Sequence, residues 1–200
     1  DLEKPIQPLF ILNVEKDELF INAGLQDRVI QVYEGLVYMD FHKDLIEKQG
    51  YGNYVHLSID HTPNFWLAYV TDPSDSGKIH SNVRQRWDQG DKEVVAAMKE
   101  FGDYTDQARD ALEKNDITRF ADIMNKNFDL RRKIYGDAAL GELNLRMIEI
   151  ARQFGSAVKF SGSGGAVIGL CLDELHKDDL KKAFQAEGFV FCDIIPHPKS

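Results

Sequence analysis

Residues 155–169 read Gly-Ser-Ala-Val-Lys-Phe-Ser-Gly-Ser-Gly-Gly-Ala-Val-Ile-Gly, so Gly162, Gly164 and Gly165 fall within four positions between two apolar runs. A chain this rich in glycine either turns through positive φ or lets another group approach its backbone closely. Such a turn can aim successive N–H groups, together with those flanking Ser163, into a concavity that suits phosphate oxygens. A tight strand-to-strand turn with no ligand is the alternative, and glycine content does not separate the two. Two stronger readings fail. The Walker loop closes on Gly-Lys-Ser/Thr and opens a helix, whereas Val167-Ile168-Gly169-Leu170 follows here. The dinucleotide fingerprint needs differently spaced glycines and a helix after them, and an apolar, β-branched run takes that place.

Three further clusters could carry chemistry. In Ala23-Gly-Leu-Gln-Asp-Arg28, Asp27 falls in the first turn of an expected helix, directly after an expected strand. A carboxylate there either serves the exposed amides and the helix dipole or stands ionised at a cleft, able to accept a proton. In the string from Ser74 to Arg86, Ser76 can cap a helix whose first amides, with Lys78, would face an anion, and Arg84 offers a planar fork for a carboxylate or phosphate. A capped surface helix with solvated charges accounts equally for that spacing. Asn127-Phe-Asp-Leu-Arg-Arg-Lys133 is a polar-basic stretch in which Asp129 and Lys133 stand at i,i+4, the spacing of a routine surface pair. The histidines show no metal-binding spacing, so no metal site is assigned to this chain.

Composition narrows the function classes. With 43% hydrophobic and 10% aromatic residues the 200-residue chain can build a real core, which excludes disorder. A formal charge of −9 argues against a nucleic-acid backbone as partner, although a small anion would feel only a local pocket. Cys171 and Cys192, the two cysteines, sit in apolar strand-like runs and suit a reducing, cytoplasmic setting without disulfides. No apolar run reaches membrane-spanning length, so no membrane is expected as a partner. A first residue that is Asp rather than Met reads as a processed or truncated product.

The elements that must position these residues follow from periodicity. Residues 8–15 and 18–22 read as strands, 25–33 as a helix, and 36–41, 54–60 and 65–71 as strands. A helix beginning among the turn formers of 71–77 would present Ile79, Val83 and Trp87. Helices follow over 91–115, 117–135 and 140–154, strands over 158–160 and 166–170, a helix over 176–187 and a strand over 189–195. A strand-rich start and a helix-rich second half give an α+β chain with a join near residue 72.

Together, Gly24-Leu-Gln-Asp27 and Lys159-Phe-Ser-Gly-Ser-Gly-Gly165 resemble second-half motifs of the GHMP superfamily, the galactokinase, homoserine kinase, mevalonate kinase and phosphomevalonate kinase group. Residues 22–33, Gly35-Leu-Val-Tyr-Met-Asp-Phe41, the string from Ser74 to Trp87 and Asn127-Phe-Asp-Leu-Arg-Arg132 are similar to plant-type glucuronokinases, and the likeness runs from about residue 8 to the end. The resemblance implies a GHMP-kinase-like α+β fold. Residues 1–71 would complete an amino-terminal kinase lobe and carry the helix of the catalytic aspartate. Residues 72–200 would form a helix-rich, ferredoxin-like carboxy-terminal domain. It also implies in-line transfer from ATP·Mg²⁺ to the anomeric hydroxyl of D-glucuronate. Asp27 would act on the hydroxyl, and Lys159, Gly162, Ser163, Gly164 and Gly165 would lie beside the phosphates. A sugar acid needs cationic partners, and Arg28, Lys78 and Arg84, with Ser76, are the candidates for substrate binding.

Nothing in the 200 residues resembles the superfamily's main nucleotide loop, Pro-x-x-x-Gly-Leu-Gly/Ser-Ser-Ser-Ala, and its usual Mg²⁺ ligands belong largely to the same amino-terminal half. The chain is therefore expected to need a companion amino-terminal segment, to be inactive without it, and to expose apolar surface and strand edges where its first strands would pair. A GHMP kinase acting on a heptose, fucose or galactose-like sugar, or a non-catalytic sugar- or nucleotide-binding relative, are the competing readings.

Overall fold

A computed structural model describes residues 2–21, 24–57, 63–71 and 82–195, and the chain divides into two units, Asp1–Asp60 and His61–Ser200.

In the first unit, residues 8–21 do not form the expected strands, and the last residue of the second expected strand lies outside the described residues. Helix α1 spans Gln7–Asp17, with Pro8 in its first turn, where its fixed φ suits a helix and its missing N–H costs nothing. Pro-Leu-Phe-Ile-Leu is an unbroken apolar run, which periodicity alone does not assign to strand or helix. The segment supplies no strand edge, yet it leaves apolar surface in the open, with Phe20 87% exposed. Helix α2, Leu25–Tyr33, packs beside α1 and sends Val29 into full burial. It stops where Glu34 and Gly35 adopt positive φ in succession, turning the chain into strand β1, Val37–Asp40. Helix α3, Lys43–Gln49, was not foreseen from the sequence; it leads into β2, Asn53–His56, antiparallel to β1 with Val37 opposite His56. Tyr33 meets the edge of Tyr54 at 5.4 Å, tying α2 to this pair.

The second unit is built around β3, Phe65–Tyr69, a strand that the sequence reading groups with the first part. Helices α4 (Val83–Asp88), α5 (Lys92–Glu113), α6 (Ile117–Tyr135), α7 (Asp137–Leu140) and α8 (Glu142–Gln153) follow. Strands β4 (Ala157–Phe160) and β5 (Ala166–Leu170), helix α9 (Lys177–Ala186) and strand β6 (Val190–Asp193) complete it. The sheet is antiparallel throughout, in the order β4-β5-β3-β6. With helices between β3 and β4 and between β5 and β6, this is the β-α-β-β-α-β ferredoxin-like arrangement. The α+β class read from the sequence therefore holds.

Local chemistry explains the helix bounds. The Asp91 carboxylate accepts from the N–H groups of Glu93 and Val94 and starts α5, and Asp116 accepts from Arg119 N–H and starts α6. The helix expected over 140–154 is α8, which starts after Gly141 at φ +84°, and the short α7 before that glycine was not foreseen. Trp87 does not share the buried face of Val83 and is 44% exposed. Arg86 takes the inward place instead, donating to Asp91, Glu93 and the Ile134 carbonyl, so its neighbour in sequence points outward. Ile79 lies outside the described residues.

Trp66 and Ala68 alternate into the core on β3, where Trp66 packs with Phe184 and Phe191. Directly opposite Trp66 on β5 is Gly169, and a Cβ there would stand 2.0 Å from the indole. The indole N–H donates to Ser156 Oγ at 2.9 Å, and that hydroxyl donates to the Leu170 carbonyl at 2.9 Å, so each buried polar group in the cluster has a partner. Gly169→Ala is expected to force the indole aside and to lower stability by about 1–3 kcal/mol or more. Urea denaturation followed by Trp fluorescence checks this, and unchanged stability would mean the ring has room that the geometry denies it.

Candidate functional site

The glycine loop, residues 161–165, is the connection of the β4–β5 hairpin, so its position is set by strands whose partners are fixed by the sheet. Gly165 has φ +77°, which a side chain would strain. Its carbonyl accepts from Val70 N–H at 3.0 Å, and its own N–H donates to Asn144 Oδ1 at 2.8 Å. Asn144 is buried and donates in turn to the Leu140 carbonyl at 2.8 Å, so one amide side chain clamps the loop to the end of α7. A Cβ at Gly162 would meet only open space.

Two cations adjoin the loop. Arg131, from α6, donates through Nη1 to the Gly162 carbonyl at 2.8 Å and through Nη2 to the Ser163 carbonyl at 3.2 Å. Its guanidinium lies over the rings of Phe160 at 4.9 Å and Tyr135 at 5.3 Å. Lys159 donates to the Phe160 carbonyl at 2.9 Å. Burial pushes the Lys159 ammonium below the usual lysine range, and the neighbouring Arg131 charge pushes the same way. Local charge at the loop is therefore positive although the chain as a whole is acidic.

In the first unit, Asp27 sits in the first turn of α2 behind an N-cap, Gly24, that offers no side chain. Its carboxylate is 73% exposed, and Arg28 Nη1 approaches it at 3.3 Å. Arg28 is more than a neighbour of Asp27. Its Nε is ion-paired with Glu15 of α1, and its side chain is nearly buried, so the guanidinium joins α1 to α2 on the flank of Asp27.

Other sequence candidates fall elsewhere. Arg84 is 87% exposed and paired with Asp88 one helical turn away. Ser76 and Lys78 lie outside the described residues. Asp129 and Lys133 do not pair with each other: Asp129 meets Arg152 at 2.8 Å and Lys133 meets Glu93 at 3.4 Å, because α8 and α5 present closer opposite charges than the same helix does. The loop residues Lys159 and Gly162 to Gly165 come together in the second unit, and Asp27 with Arg28 in the first. Among the described residues, no three His, Cys, Asp or Glu side chains converge as a metal site.

Sequence reasoning missed Arg131 and Asn144. The signal for Arg131 was its i,i+4 spacing to Tyr135, which lets a cation reach an aromatic ring. The signal for Asn144 was an amide on the stripe of Leu140, Met147 and Ala151, where a polar group must find partners.

The second unit is ferredoxin-like with a glycine loop and two cations on its central hairpin, and the first unit carries an exposed, helix-borne aspartate. Residues 108–189 match the family described as GHMP kinases C terminal. The chain is 49% identical over 183 residues to Glucuronokinase 1 of Arabidopsis thaliana, an alignment covering 89% of this chain and 50% of that protein. Among solved structures, a Lin0012 protein from Listeria innocua superposes with a TM-score of 0.77 at 16% identity, covering 96% of this chain and 59% of that one. Mevalonate kinase from L. major, in complex with R-mevalonate, superposes with a TM-score of 0.64 at 20% identity, covering 94% of this chain and 55% of that one. The chain is similar to the GHMP kinase superfamily. It is glucuronokinase-like, and it spans about half the length of the curated relatives it matches.

Replacing Asn144 with Ala leaves the Gly165 N–H and the Leu140 carbonyl without their buried partner, and is expected to cost about 1–3 kcal/mol. It should also speed amide exchange at Gly165 ahead of the β5 amides, as hydrogen-exchange NMR would report. Equal acceleration across the sheet would point to general loosening instead.

Proposed function

We propose that this chain is the carboxy-terminal portion of an ATP-dependent sugar-1-kinase, which transfers the γ-phosphate of ATP to the anomeric hydroxyl of D-glucuronate to give glucuronate 1-phosphate. The observation that carries the reading is the 49% identity to a glucuronokinase. An alignment over 89% of the chain cannot avoid residues 27 to 165, so it takes in both Asp27 and the glycine loop.

In this reading Asp27 accepts the proton of the anomeric hydroxyl or orients that oxygen for attack, for which an exposed carboxylate on a helix is suited. Arg28 keeps α2 against α1 through Glu15, and contributes positive charge beside Asp27. Arg84, Ser76 and Lys78 remain the candidates for the acceptor's carboxylate and hydroxyls; Arg84 is free to exchange its exposed Asp88 pairing for a substrate, since such pairs are worth little. Lys159 and the loop of Gly162, Ser163, Gly164 and Gly165 lie beside the nucleotide phosphates. Positioning and charge neutralisation then supply most of the catalysis, as for phosphoryl transfer in general. ATP-dependent transfer uses Mg²⁺, for which the described residues offer no convergent ligand set; no step is routed through the ion.

The enzyme is placed in the cytoplasm, and a companion amino-terminal segment, joined or separate, completes its nucleotide site. Among the described residues, no helix is long and apolar enough to cross a membrane.

The complete kinase should phosphorylate D-glucuronate in preference to galactose and fucose. Asp27→Asn should lower kcat by about 10²-fold or more while the protein stays folded. Equal turnover of the three sugars would replace the acceptor, and full activity of the variant would remove Asp27 from the chemistry. The isolated 200 residues should show no ATP turnover under the same assay, and robust activity would refute the need for a companion segment.

A further inference from the structure

We propose that Arg131 is a positioning residue that turns the glycine loop outward, so that the Ser163 and Gly164 amides converge on an oxygen of the nucleoside triphosphate's phosphates. This rests on the kinase reading above and assigns the loop its organiser.

The peptide unit sets the direction of the loop amides. In a trans peptide the carbonyl and the N–H project to opposite sides of the chain, and the described residues contain no cis bond. The Gly162 carbonyl shares its peptide with Ser163 N–H, and the Ser163 carbonyl shares its own with Gly164 N–H. Arg131 holds both carbonyls, at 2.8 and 3.2 Å, with the two arms of one guanidinium. Both amides must therefore face away from Arg131, side by side. Neither finds an acceptor among the described residues, in a loop whose next amide, that of Gly165, is already taken by Asn144. Two adjacent donors with a cation behind them form an anion concavity.

The residue type matters. A planar fork spans two consecutive carbonyls, whereas a lysine ammonium is a point charge that serves one direction well. Stacking over Phe160 and Tyr135 fixes the plane of the fork. Lys159 lies on the strand itself and donates to the Phe160 carbonyl rather than to those of Gly162 and Ser163.

The test uses the complete kinase with Arg131→Met and Arg131→Lys, reading KM for ATP and for glucuronate beside Tm. Arg131→Met should raise KM for ATP about tenfold or more, the scale of one charge-assisted hydrogen bond, and leave KM for glucuronate within about twofold. Arg131→Lys should fall between wild type and Met, a graded rescue that a merely structural role would not confine to one substrate. An unchanged KM for ATP, or parallel rises for both substrates, would overturn the positioning role. If the Met variant does not fold, the Lys variant decides: wild-type KM for ATP in it overturns the proposal, and a selective rise supports it. A wild-type enzyme whose rate does not depend on ATP would overturn the kinase reading itself, an outcome separate from insensitivity to Arg131.

Discussion

The second unit depends on the packing of the Trp66 indole over the bare backbone of Gly169. A ring of that size in the middle of a sheet needs a neighbour with no side chain and a polar partner for its N–H, and Gly169 and Ser156 supply one each. This fixes the β3–β5 register. It also fixes β4, because Ser156 stands just before that strand and returns its hydroxyl to the Leu170 carbonyl on β5. The hairpin that carries the glycine loop is thus held at its base by one aromatic side chain, far along the strands from the loop itself.

At the other end of the hairpin the constraint is electrostatic. The β4 edge is covered by α6, whose Asn125 accepts from Val158 N–H, and the same helix delivers Arg131 to the loop carbonyls. Asn144 of α8 takes the last loop amide. Helix packing on the sheet and loop conformation are therefore one problem: moving α6 would free the strand edge and release the loop together. Arg152, lying over Phe128 at 5.2 Å and paired with Asp129, links α8 to α6 in the same region.

The first unit is organised on a smaller scale. Val29 is its fully buried apolar anchor, and the Glu15–Arg28 ion pair joins its first two helices. Asp27 gains from both: a helix whose buried side is fixed presents the next residues to solvent in a definite direction. Removing one partner of such a shielded pair is more disruptive than the small net worth of the pair suggests, since the other charge is left without its complement.

The sequence by itself determined the helices with strong 3.6-residue periodicity, α2, α5, α6, α8 and α9, because an amphipathic stripe closed by Asp, Asn or Gly encodes both its face and its ends locally. It also made the glycine cluster and Asp27 visible, through residue type and spacing alone. It could not decide residues 8–15, where an apolar run without a period becomes helical through Pro8 and the packing of α1 on α2. Nor could it show that β3 belongs with strands a hundred residues later, since pairing across that distance leaves no local mark. Arg131 is the plainest case. In the chain it is one charge in a basic run of a helix, and only tertiary structure sets its fork against two carbonyls 31 and 32 residues away. Periodicity reports which face a residue occupies, while the groups opposite that face are supplied by distant chain.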